Sequence, residues 1–206
     1  MAHIITATVA LRFHSSTLIA MLAPMFVTAA MVISLMVATP MASAATFNTD
    51  DVATHEHWQS MTLSLGGERH YRAIETHSYS DATLSLNATA GVCDLPWLEM
   101  RVTLEQQQGE SRAVNLVPAR LRIDEQPVID TMAEFITERG DDGFYAHFYL
   151  SDLAALMADM RQGEQLFLGF DQEEREPWYM TFSLQGADAA INRMLAECKG
   201  AEYTTH

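Results

Sequence analysis

The residues able to do chemistry in this chain of 206 are few and widely spaced. Cys93 and Cys198 are its only cysteines. In an oxidising compartment two thiols allow a single pairing. A Cys93–Cys198 bridge closes a loop of about 105 residues, and chain entropy gives such a loop about 4.7 kcal/mol as an upper figure. The alternative is a free, reactive thiol. No Cys-x-x-Cys spacing is present.

His55-Glu56-His57 offers two imidazoles that a strand would point to one side, as a metal ion needs. A metal site also requires a third or fourth ligand. His70, His77 and His147 carry no ligand spacing, so the expectation is exposed histidines, with no metal and no cofactor. Tyr145, His147 and Tyr149 alternate with Phe144, Ala146, Phe148 and Leu150. Such a Tyr-His-Tyr row is either a platform for a sugar or peptide or, as expected here, a set of cross-strand aromatic pairs that stabilise the sheet. His147 beside a neighbouring acid is the one arrangement that would serve a hydrolase. Arg120 and Arg122 could hold an anion, but on so acidic a chain they are expected to pair with carboxylates. Glu173, Glu174 and Glu176 lack the spacing of a calcium loop and read as a solvated turn. There is no G-x-S-x-G, phosphate loop, H-E-x-x-H or dinucleotide fingerprint, so no catalytic residue is assigned.

The elements that carry these residues are mostly strands. In 81–89, Ala82, Leu84, Leu86 and Ala88 share one face, and Thr83, Ser85, Asn87 and Thr89 the other. That period of two marks a half-buried antiparallel strand. Residues 97–105 repeat it, with Leu98, Met100, Val102 and Leu104 inward and Glu99, Arg101, Thr103 and Glu105 outward. Further strands are read at 58–65, 71–76, 144–150, 164–170 and 178–184. Residues 114–123 read as two strands or one bent at Pro118, and 128–137 as strand or helix. A helix capped by Ser151 runs to Arg161, with Leu153, Leu156, Met157 and Met160 as its apolar stripe. A last helix starts near Asp188, places Ile191, Met194, Leu195 and Cys198 on one stripe, and stops at Gly200. The fold class is mainly β: an antiparallel sandwich or open barrel with two short helices, the C-terminal one disulfide-linked.

Residues 1–44 hold one basic residue, Arg12, and no acid, followed by an apolar run and Ala42-Ser43-Ala44. This is the pattern of a secretory signal peptide cleaved after Ala44. An uncleaved anchor is the alternative, because the uncharged run exceeds the ~20 residues that span a bilayer. The expected organisation is a signal peptide at 1–44, a flexible lead-in at 45–57, one β-rich domain at 58–199 and a frayed tail at 200–206. Removing 1–44 leaves 11 basic against 27 acidic residues, a formal charge of −16. That charge disfavours nucleic acid and an anionic membrane surface as partners, and neither is expected. The expected location is periplasmic or secreted, with no stable membrane insertion after cleavage.

Two stretches resemble small exported bacterial proteins. One is Phe182-Ser183-Leu184-x-Gly186 leading into a short helix that ends at Cys198. The other is Arg120-x-Arg122-Ile123-Asp124-x-x-Pro127, after a strand region holding one cysteine. Together, over roughly residues 80–198, they resemble the periplasmic proteins associated with type VI secretion and, less closely, the invasion-associated locus B family. The resemblance implies a β-sandwich with the late cysteine bridged to an earlier strand, and a non-enzymatic accessory role. The expected function is an exported binding protein of the bacterial envelope, its partner another envelope protein or a cell-wall component. An exported hydrolase and a metal-binding protein built on His55 and His57 are the alternatives.

Overall fold

The structure, a computed structural model, describes residues 47–171 and 177–202. The expected signal peptide, the acidic turn with Glu173, Glu174 and Glu176, and the last four residues lie outside the described residues.

Ten strands form one antiparallel sheet: β1 (Asn48–His55), β2 (Trp58–Leu65), β3 (Glu68–Glu75), β4 (Ala82–Thr89), β5 (Trp97–Thr103), β6 (Arg112–Ile123), β7 (Ile129–Thr137), β8 (Gly143–Phe148), β9 (Gln165–Phe170) and β10 (Trp178–Ser183). Helix α1 (Leu153–Met160) links β8 to β9, and α2 (Ala187–Glu202) follows β10. The spatial order is β1-β2-β3-β4-β5-β8-β7-β6-β9-β10. Strands β1 to β5 form a meander. The β6–β7–β8 meander then runs back, so that β8 pairs with β5 and β6 with β9. The mainly β class, the two helices and the bridged C-terminal helix all follow the reading of the sequence.

The sheet curls until its last strand meets its beginning. On the free edge of β10, the Thr181 and Ser183 N–H groups donate to Tyr79 Oη and Ser78 Oγ, each at 2.9 Å. The Ser183 carbonyl accepts from Trp58 Nε1 at 2.8 Å, and the His57 N–H donates to the Gln185 carbonyl at 3.2 Å. The result is an open barrel whose seam is closed largely by side chains. An edge satisfied in this way cannot recruit a foreign strand. The buried carboxylate of Glu75 shapes the loop that supplies these partners, accepting from the N–H groups of His77 and Ser78 and from Ser78 Oγ. At Gly186, φ is +89°, and a Cβ there would overlap the carbonyl of His55, so only glycine lets α2 start against the β1–β2 turn.

Leu84, Leu86, Leu98, Met100, Leu121, Leu168, Phe170 and Phe182 form the core. Helix α2 packs on β1 to β4 through Ala187, Ala190, Ile191, Met194 and Cys198. Cys198 is bridged to Cys93 in the loop after β4, with α-carbons 5.8 Å apart, inside the range a disulfide requires.

Several local expectations are corrected. The lead-in is ordered from Asn48 onward as β1, because its backbone pairs with β2 despite its polar sequence. Helix α1 is capped by Asp152, not Ser151. It begins at Leu153, and the Asp152 carboxylate reaches the Ala155 N–H. Asp188 lies inside the first turn of α2, where it accepts from Asn192 Nδ2. Helix α2 passes through Gly200 to Glu202. Residues 128–137 resolve to a strand, since β6 and β8 flank them. Residues 112–123 form one strand, with its irregularity at Ala113/Asn115 and not at Pro118.

Candidate functional site

The outward positions of adjacent strands assemble a polar network that no single strand reveals. Register sets Arg72 of β3 opposite Asn87 of β4, Ser85 opposite Glu99 of β5, and Glu99 opposite His147 of β8. Arg72 Nε donates to Asn87 Oδ1, and Arg72 Nη2 meets Glu99 Oε1 at 3.3 Å. Glu99 Oε2 is bonded to His147 Nε2 at 2.9 Å. Asn87 Nδ2 donates to Ser85 Oγ. Glu99 is only 6% exposed.

A carboxylate so buried survives only if it is paired and hydrogen-bonded. Burial alone would raise the Glu99 carboxyl. The His147 hydrogen bond, the charges of Arg72 and His147, and a hydrogen bond from the Trp97 side chain outweigh burial and hold it below its ordinary value. Glu99 is therefore ionised at neutral pH, with both oxygens engaged. It orients its neighbours and has no proton to give.

A second cluster adjoins the first. Arg101 and Tyr145 face each other across β5 and β8. Tyr145 Oη donates to Asp141 Oδ2 at 2.6 Å, and Arg101 Nη2 donates to Asp141 and Asp142. Burial and the Asp141 hydrogen bond push the Tyr145 phenol up to about 12. Asp141 is held down by Tyr145 and Arg101 against its own burial. This cluster clamps the β7–β8 turn, which Gln108 also holds through bonds to Asp141 and Gly140.

Between the two clusters runs a groove of about 520 Å³ with Arg72, Asn87 and Glu99 in its lining. Phe47, His70 and Trp97 line it, and Glu138 and Arg139 of the clamped turn complete it. Phe47 and His70 meet edge to face at 5.3 Å, as do His70 and Trp97 at 6.2 Å.

The other singled-out residues have separate roles. His55 is bonded to Ser60 Oγ, whereas His57 is bonded to Ser183 Oγ and stacks on His77 at 3.7 Å. Both belong to the seam and its turn, and no three metal-ligating side chains converge among the described residues. Arg120 pairs with Asp130 and Asp171, as expected. Arg122 instead lies over the ring of Phe167. Tyr149 donates to Glu134, which sits across from His147, so the Tyr-His-Tyr row meets charged partners where cross-strand aromatic pairs were expected. His147 does meet an acid, Glu99. Reading the sequence missed Arg72, Asn87, Trp97, His70 and Phe47 as a set, and took Glu99 as solvent-facing. The available signal was the repeated polar outward positions of β4 and β5.

No family model and no curated protein matches the chain. Among solved structures, invasion-associated protein B from Bartonella henselae is similar, with a TM-score of 0.49 and 18% identity over 73% of this chain and 99% of that one. At that score the likeness assigns no function. No helix among the described residues is long and apolar enough to cross a membrane.

Proposed function

We propose that this chain is an exported, non-enzymatic binding protein of the bacterial envelope, with the groove beside Glu99 as its ligand site. One observation carries the binding reading: the ionised groups at the groove floor satisfy one another. Both Glu99 oxygens are taken, Asp141 is shared by Arg101 and Tyr145, and among the described residues no hydroxyl or thiol is bonded to His147. A catalytic carboxylate needs an open oxygen or an available proton. A recognition surface needs fixed donors and acceptors, and this network supplies them. Export rests on the basic start, apolar run and Ala-x-Ala of residues 1–44, with the disulfide as its structural companion.

Cell fractionation with intact-mass measurement tests the export half. The expected species begins at Ala45 and contains one disulfide, and a mature form retaining Met1 refutes it. Co-sedimentation with purified sacculi and outer-membrane fragments tests the groove. Wild type is expected to sediment and Trp97→Ala to stay in solution, and equal behaviour refutes the assignment. A second reading has one observation in its favour: the Glu99–His147 pair, in which a carboxylate fixes an imidazole that could activate water. Release of soluble products from sacculi by wild type but not by His147→Ala would establish that reading instead.

A further inference from the structure

We infer that the ligand of the groove is a neutral oligosaccharide strand. The inference rests on the binding reading above and adds the chemical class.

Charge narrows the class first. The floor is electrically closed: Arg72 is neutralised by Glu99, and Asp141 by Arg101. An anion meets one cation outside these pairs, Arg139 at the clamped turn, against the field of a chain with formal charge −15. A cation finds the carboxylate oxygens of Glu99 and Asp141 already occupied and Arg72 beside them. Glu138, at the clamped turn, accepts from Ser111. What the floor offers is a row of fixed dipoles, from guanidinium, amide, imidazole and phenol groups, and these suit a partner that both donates and accepts.

Shape and ring content narrow it further. The groove is partly open to solvent, and its three neighbouring rings offer a chain-like ligand more than one contact. Phe47, His70 and Trp97 sit side by side along it. Their edge-to-face contacts fix each ring against the next without stacking their faces on one another. Rigid amphipathic rings bind at small entropic cost. Trp97 is held further by its hydrogen bond to Glu99, so the ring wall and the polar floor form one connected unit. A pyranose has an apolar face of C–H groups and a rim of hydroxyls that donate and accept. It matches a ring wall beside a neutral polar floor, and successive sugars match successive rings.

The test is an amide-resonance titration of the purified disulfide-bonded protein with chitotetraose, cellotetraose, maltotetraose, tetragalacturonate and tetra-alanine. At least one of the three neutral sugars is expected to shift the Trp97 and His70 signals saturably. Trp97→Ala and Phe47→Ala should each weaken that binding about tenfold, the loss of one ring contact. Tyr179→Ala, on the exposed outer side of β10, should leave it unchanged. Groove shifts with tetragalacturonate or tetra-alanine but with none of the neutral sugars would overturn the neutral-oligosaccharide class and leave the binding reading standing. No groove shift with any of the five would overturn both. Equal weakening by Tyr179→Ala would place the sugar elsewhere.

Discussion

Removing the Glu99 carboxylate is the most informative perturbation of this molecule. Glu99→Ala deletes the shared partner of Arg72, His147 and Trp97 from a position 6% exposed. Hydrogen bonds to charged groups contribute about 1.5–3 kcal/mol, and breaking a fully buried ion pair costs about 3–5 kcal/mol. Here the stranded partners keep some water, since the side chains of Arg72 and His147 are 24% and 39% exposed. Partial resolvation lowers the expected loss to about 2–3 kcal/mol. Urea unfolding at neutral pH reads it as a lower midpoint with an unchanged slope.

The pH dependence gives an independent check. The folded-state value of Glu99 lies below its ordinary 4.5. Its stabilisation is therefore fully present above that ordinary value and is lost as pH falls through the depressed folded one. Glu99→Gln keeps the shape and removes the titration. The stability gap between wild type and Glu99→Gln should be widest near neutrality and should narrow below about pH 4. A gap that stays constant over that range, or a Glu99→Ala loss under about 0.5 kcal/mol, would show that the network does not hold the groove floor.

Two further outcomes follow from the frame around the site. Reducing the Cys93–Cys198 bridge, or replacing both cysteines by serine, should lower stability by up to about 4.7 kcal/mol for a loop of 105 residues. Urea unfolding with and without reductant measures this, and coincident curves would contradict a stabilising bridge. Gly186→Ala should cost about 2–5 kcal/mol, combining a left-handed backbone with an overlap that forces the His55 carbonyl aside. Thermal unfolding of the variant within about 0.5 kcal/mol of wild type would contradict the tight approach of α2 to the β1–β2 turn.

Strand-forming positions were legible where one face is apolar and the period is two. In β4 and β5 the inward residues Leu84, Leu86, Leu98 and Met100 are fully buried, as the alternation requires. The stripe of α2 and the pairing of Cys93 with Cys198 were also legible, since the stripe aims Cys198 at the sheet and two cysteines allow one bridge. The outward side was not legible. Asn87 and Glu99 read as solvated, yet both are buried, because Arg72 from β3 spans the two.

Composition, alternation and cysteine count thus determined the mainly β class, the helix–disulfide clasp and the excess of acid, since these depend on local periodicity or simple counting. Only the tertiary structure decided which strands are neighbours. Each strand's sequence states which face a side chain takes, but not what stands across from it. The order β3-β4-β5-β8 brought Arg72, Asn87, Glu99 and His147 together from positions up to 75 residues apart, because inter-strand register is a property of the folded sheet and not of any segment within it.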